Sequence, residues 1–261
     1  MPAVTREPVY RPVIGFAKVV FRALGLRFDI TGTDNVPVTG GAVMAINHTG
    51  YLDFTFAGLA AHPRRRLVRF MAKQEVFDHK VSGPLMRGMK HIPVDRVSGA
   101  DSYQHAVKML AAGEIVGVFP EATISQSFDL KGFKTGAVRM AQEAGVPVLP
   151  VVIWGSHRVM TKNRKRDLAR GKHIRICVGE PFTPAPTADP VEATAELKRR
   201  MQVLLDEARA TYEGMPADAA DTWWIPASLG GTAPTLQEAE ERDAREREER
   251  AARRAARDTS G

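Results

Sequence analysis

From residue 41 to residue 212 the chain alternates short apolar runs with stretches of helical periodicity, and this alternation limits its fold more than any other feature. The runs "GAVMAIN" (41–47), "EIVGVFPE" (114–121), "VPVLPVVIWG" (146–155) and "HIRICVGEPF" (173–182) read as strands. "VRFMAKQEVF" (68–77) reads as a strand running into a short helix. Between them "DFTFAGLAA" (53–61), "ADSYQHAVKMLAAG" (100–113), "GAVRMAQEAG" (136–145) and "ATAELKRRMQVLLDEARATY" (193–212) read as helices, with Gly113 and Gly145 closing two of them. The pattern predicts an α/β fold, a mostly parallel or mixed central sheet flanked by helices.

Both ends differ from this body. "YRPVIGFAKVVFRALG" (10–25) reads as a helix with Pro12 in its first turn. Arg11, Lys18 and Arg22 fall within about 40° of each other on a helical wheel. Val13, Phe16, Ala17, Val20 and Leu24 make the opposite, apolar face. A wholly cationic stripe opposite an apolar face is the pattern of a helix lying in a membrane interface. Residues 214–234 are rich in Gly, Pro and Ala, and Trp223 and Trp224 within them are expected to cap the core rather than anchor at a membrane. Residues 235–261 are charged all round, which predicts a solvated single helix or a disordered tail with no buried face and no catalytic role. The expected organisation is a membrane-associating helix (1–28), a main α/β domain (29–213), a Gly/Pro/Trp segment (214–234) and the tail (235–261).

Charge narrows the partners. The net charge is +7, while residues 235–261 hold seven arginines against eight acids and residues 217–234 add two aspartates, so residues 1–216 carry +10. Such a body suits nucleic acid, phosphorylated ligands or an acidic membrane face. The lone Cys177 rules out an intrachain disulfide and favours a reducing, intracellular setting. "MPAVTREPVY" lacks the apolar core of a signal peptide, and no run reaches the ~20 apolar residues that cross a bilayer.

The strand at 41–47 ends at His48, and Asp53 follows five residues later in "AINHTGYLD". On one regular helix these positions point about 140° apart, so they meet only if the chain turns between them. Gly50 permits that turn, placing His48 on the loop and Asp53 in the first turn of the next helix. An imidazole oriented by a carboxylate is a general base. With no Gly-x-Ser-x-Gly elbow, and Cys177 within an apolar strand, the base is expected to activate a hydroxyl of the substrate.

Three further stretches follow in order: "GMKHIPVDR" (88–96), "FPEATIS" (119–125) and "GVPVLPV" (145–151). With the NHx4D block at His48 and Asp53, the chain resembles the 1-acylglycerol-3-phosphate acyltransferase (lysophosphatidic acid acyltransferase) family over residues 30–185. The resemblance implies transfer of an acyl chain from an acyl thioester, acyl-CoA or acyl carrier protein, to the free hydroxyl of 1-acylglycerol-3-phosphate in phospholipid synthesis. It implies that His48 deprotonates that hydroxyl, Asp53 holds His48, and Glu121 and Thr123 lie at the acceptor. Lys73 in "MAKQEVF" matches a family lysine that helps hold the acceptor phosphate, and Arg96 falls where a further anion contact would lie. No bound cofactor and no metal are expected. The implied setting is the cytoplasmic face of the cell membrane, peripheral or monotopic.

The chain departs from the family where Gly-Thr-Arg-Ser becomes Ala122-Thr123-Ile124-Ser125. Ile124 replaces a phosphate-binding arginine. Either another cation substitutes, with Lys131, Lys134 and Arg139 as candidates, or the acceptor is another lysophospholipid or a glycolipid. A reading from a different class, a non-catalytic binder of anionic lipid or nucleic acid, finds no aromatic-basic interleaving in its support. The basic cluster "HPRRRLVR" (62–69) is either a solvated face or a contact for lipid headgroups or coenzyme A phosphates.

Overall fold

The computed structural model describes residues 7–95, 99–214 and 221–258. Among these, seven strands form one sheet: β1 (Arg27–Thr31), β2 (Ala42–Ile46), β3 (Val68–Lys73), β4 (Ile92–Val94), β5 (Ile115–Val118), β6 (Val148–Trp154) and β7 (His173–Val178). Their order is β1-β7-β6-β2-β5-β3-β4. The five strands from β6 to β4 are parallel, whereas β7 runs antiparallel to β6 and carries β1 parallel to itself. The helices are α1 (Tyr10–Ala23), α2 (Asp53–Ala61), α3 (Gln74–Asp78), α4 (Ser82–Gly88), α5 (Gly99–Ala111), α6 (Gly136–Ala144), α7 (Pro190–Ala210) and α8 (Leu236–Asp258). This is the mixed α/β sheet that the alternating pattern predicts.

Every residue of β2, β5, β6 and β7 is buried, because helices cover both faces of the sheet. Val43 and Ala45 of β2 point into one layer with Ala106 and Leu110 of α5, Met140 and Ala141 of α6, and Leu197, Met201 and Leu205 of α7. Met44 and Ile46 point into the other with Phe21 of α1 and Phe56, Ala57 and Ala60 of α2. Gly117 in β5 is needed for this packing, since a Cβ there would lie 2.6 Å from the Phe70 ring. Trp224 is fully buried in the first layer, in the core-capping role expected of the tryptophan pair.

Some boundaries differ from expectation for identifiable reasons. β1 is an edge strand with half-exposed side chains, so it lacks the apolar run that marks a strand in sequence. β7 stops at Val178, and Phe182 makes only an isolated bridge to Val148. α7 starts at Pro190 because Asp189 caps it, accepting from the Val191 N–H at 2.9 Å.

Two expectations about charged segments need correction, and the amphipathic helix α1 divides its apolar residues between the domain and solvent. α1 docks through Tyr10, Val13, Ile14, Ala17 and Phe21. Phe16, on the apolar face in the sequence reading, is 70% exposed, and Val19 is 66% exposed. Apolar residues surround most of this helix, and only one sector meets α2 and β1.

The cluster at 62–69 is not a uniform solvated face. Arg66 donates to the carbonyls of Pro37, Gly40 and Gly113, and Arg69 is buried between Glu7 and Glu114. The tail is α8, which opens with a reciprocal Thr235–Glu238 capping box and buries Ala239 and Asp243. Its charge pattern conceals a face because that face is completed by lysines elsewhere in the chain.

Arg69 holds Glu7 at 2.6 Å, with both side chains almost wholly buried, and also donates to the Met89 carbonyl at 2.9 Å. Removing the guanidinium would strand the Glu7 carboxylate. Arg69→Met is therefore expected to destabilise the fold by about 3–5 kcal/mol, read from the shift in urea unfolding midpoint.

Candidate active site

Parallel strands bring their C-terminal ends to one edge of a sheet, and here that edge collects the polar residues. Asn47 continues β2 by pairing its side-chain amide with β6: it accepts from the Ile153 N–H at 2.7 Å and donates to the Ile153 carbonyl at 3.0 Å. The chain then turns through Thr49 and Gly50, and α2 starts at Asp53. The turn brings His48 Nδ1 to 3.0 Å from Asp53 Oδ2.

Asp53 has no exposed surface. Its Oδ2 also accepts the N–H groups of Thr49 and Gly50, each at 2.8 Å, and its Oδ1 accepts the Ser156 hydroxyl at 2.5 Å. The carboxylate thus closes the turn on which His48 stands. The His48 side chain keeps 20% of its surface, and its ring stacks on Phe119 with centroids 4.1 Å apart. With Nδ1 engaged, Nε2 is the nitrogen left for a substrate. Among the described residues no serine or cysteine is hydrogen-bonded to the ring.

The loop after β5 clamps the His48 backbone from both sides. Glu121 Oε1 accepts the His48 N–H at 2.8 Å, and the Ser125 N–H donates to the His48 carbonyl at 2.7 Å. Glu121 Oε2 accepts the Lys131 N–H at 3.1 Å, so each carboxylate oxygen ties one backbone segment. Ala122, at the position of the family glycine, adopts φ 62°. A left-handed alanine costs about 1 kcal/mol relative to glycine, so the loop retains its turn despite the substitution.

The other expected residues distribute unevenly. Lys73 ends β3 at the same sheet edge and is exposed. Arg96 lies outside the described residues. Thr123 accepts from Lys131 Nζ at 2.6 Å and donates to Asp243 of α8 at 3.3 Å. Ile124 is buried at 6% exposure, so no side chain from that position reaches out as an arginine would. Of the three substitute cations, Lys131 is buried, whereas Lys134 and Arg139 are exposed.

Sequence reasoning missed Ser156, Lys162 and Asp243. Ser156 follows β6 and lies 103 positions from Asp53, a distance at which no local pattern signals contact. Among the described residues no group of three or more His, Cys, Asp or Glu side chains is placed to hold a metal ion, and no helix is long and apolar enough to cross a membrane.

A histidine–carboxylate pair at the C-terminal edge of an α/β sheet, with no serine or cysteine hydrogen-bonded to the imidazole among the described residues, makes a site that can take a proton from a substrate hydroxyl. Comparison with known proteins agrees. The family model described as "Acyltransferase" matches residues 27–154. The chain is 32% identical over 179 residues to the 1-acyl-sn-glycerol-3-phosphate acyltransferase of Bacillus subtilis, covering 66% of this chain and 84% of that protein. It is 29% identical over 161 residues to a chloroplastic 1-acyl-sn-glycerol-3-phosphate acyltransferase of Arabidopsis thaliana, covering 60% of this chain and 44% of that protein. The crystal structure of a 1-acyl-sn-glycerophosphate acyltransferase from Thermotoga maritima superposes with a TM-score of 0.68 at 24% identity, covering 78% of this chain and 80% of that one, and shows the same fold. The chain belongs to the acyltransferase family of these enzymes and is an acyltransferase.

Full burial pushes the Glu121 carboxyl up to about 7 from 4.5, against the lowering effect of the His48 and Lys131 N–H groups and the Lys131 charge. Between those values the folded chain holds a proton that the unfolded chain releases. The stability that protonated Glu121 contributes is thus complete below pH 4.5 and lost as pH rises through about 7. The stability of the wild type relative to Glu121→Gln is expected to decline across that interval and then level off, as measured by paired urea titrations at several pH values.

Proposed function

We propose that this acyltransferase moves an acyl chain from a thioester of coenzyme A or acyl carrier protein to the free hydroxyl of 1-acylglycerol-3-phosphate. The observation that carries the reading is the bond from His48 Nδ1 to Asp53, which leaves Nε2 for a substrate on a ring that is still partly exposed. His48 Nε2 takes the hydroxyl proton as the acceptor oxygen attacks the thioester carbonyl carbon. The tetrahedral adduct collapses with loss of the thiolate, and the imidazolium returns its proton to that sulfur. An ester and a free thiol result. Asp53 fixes the tautomer and stabilises the imidazolium at a fixed distance. Glu121, whose two oxygens tie the His48 and Lys131 backbones, supports this reaction best as a positioning residue. The names of the relatives support the acceptor, and the basic body, +10 over residues 1–216, suits its phosphate.

His48→Ala is expected to lower kcat for acyl-CoA and lysophosphatidate on lipid vesicles by about 10²- to 10⁴-fold with unchanged far-UV circular dichroism. An undiminished rate would refute the base assignment.

The membrane reading rests on α1. Its exposed strip of Phe16 and Val19 runs beside the exposed Arg11, Lys18 and Arg22, so apolar and cationic groups face solvent together. This arrangement supports a protein lying on the cytoplasmic face of the membrane, where both the lysolipid and a soluble thioester are accessible. Phe16→Asp is expected to reduce the fraction that sediments with anionic vesicles severalfold, whereas equal sedimentation would exclude α1 as the contact.

A further inference from the structure

The charged helix α8 delivers a carboxylate to a cluster of donors beside the His48 turn. Asp243, 6% exposed, accepts from Lys131 Nζ, from Lys162 Nζ at 2.6 Å, from Thr123 Oγ1 at 3.3 Å and from Gln126 Nε2 at 3.4 Å. Lys162 also reaches Glu246, one turn further along α8, at 2.7 Å. Two ammonium groups therefore meet two carboxylates. A phosphomonoester carries almost the same charge in a single group with three acceptor oxygens.

The donors stand on segments whose backbone is fastened to the His48 turn. The Lys131 N–H is held by Glu121, whose other oxygen holds the His48 N–H. Thr123 lies two residues beyond Glu121. Lys162 follows Thr161, whose hydroxyl donates to the Thr49 carbonyl at 2.7 Å. Each cation thus projects from a segment fastened to the turn that carries His48. Neither Lys162 nor Asp243 lies in the stretch matched by the family model, which ends at residue 154.

Besides Asp243, Glu246 ties α8 to the domain, accepting from Lys162 Nζ at 2.7 Å and from Asn163 Nδ2 at 3.0 Å. Among its described side chains only Ala239 and Asp243 are buried, and most of the rest is exposed charge. Its docking therefore rests on the Asp243 and Glu246 carboxylates, and of these two Asp243 is the buried one. An open cleft lined by Gln126, Lys162, Arg164, Trp223 and Arg242 adjoins the cluster and gives an anion a cationic approach to it.

We propose that Thr123, Lys131 and Lys162 form an anion site for the phosphomonoester of the acyl acceptor, replacing the arginine lost at Ile124, and that Asp243 occupies this site in the free protein. Acceptor phosphate and α8 then compete for the same donors. The inference rests on the proposed acceptor for its ligand, but not on acyl transfer for its test. A carboxylate tethered in the same chain lowers the apparent affinity for phosphate by the fraction of time it fills the site.

The test uses the full chain and glycerol 3-phosphate as a probe that needs no thioester. Glycerol 3-phosphate is expected to speed amide hydrogen exchange in residues 236–249, and Asp243→Asn is expected to bind it about tenfold more tightly by calorimetry. Adding Lys162→Gln to Asp243→Asn should cancel that gain, which a merely structural role for Asp243 would not produce. Unchanged or slower exchange in α8 with the probe bound, no tightening in Asp243→Asn, or no binding to either form would each overturn the inference. Exchange on the wild type keeps the test valid if the variant misfolds. Acyl transfer to lysophosphatidate, measured in parallel, separates the two claims: turnover without the α8 response leaves the enzyme reading and sinks the competition. The α8 response without turnover keeps the site and sinks the assigned reaction.

Discussion

A carboxylate with no exposed surface must satisfy its oxygens inside the protein, and Asp53 does so with the His48 imidazole, two backbone N–H groups and the Ser156 hydroxyl. The arrangement of the site depends on this cluster. The N–H groups bend the chain after β2, the bend aims the histidine, and Ser156 joins the bend to the end of β6. Because an unpaired buried carboxylate is so costly, the alternatives to this geometry are few, and the fold itself holds the imidazole in place.

The sheet supplies the second constraint. β2, β5 and β6 are parallel neighbours, so His48, Glu121 and Ser156 emerge on one edge although they are far apart in the chain. The loop after β5 then fastens both sides of the His48 peptide. This explains how an alanine can persist at a left-handed position in that loop: the clamp made by Glu121 and Ser125 overdetermines the conformation.

Charge has more than one use in this chain. Arg66 and Arg69 serve the fold, capping carbonyls and closing a buried ion cluster, so the basic balance overstates what is available to an anionic partner. Arg11, Lys18 and Arg22 of α1 stay exposed, whereas Lys131 and Lys162 face acids of α8. Replacement of an arginine by Ile124 within the loop does not leave the neighbourhood without positive charge, since Lys131 and Lys162 come from flanking segments.

The sequence by itself determined the layered α/β architecture, because runs buried on both faces and Gly-terminated helices are local signals. It also marked His48 and Asp53, since a strand end, a turn and a helix start lie within a few residues of them, and Glu121 at the end of a buried strand. Only the tertiary structure decided which remote side chains complete the site: Ser156 on Asp53, Lys162 on Asp243, and α8 against the loop after β5. These contacts join residues from 81 to 120 positions apart, and no periodicity or spacing encodes a hydrogen bond over such separations. For the same reason the tail read as a solvated strip of charge, although Asp243 is buried, because what buries it lies on other parts of the chain.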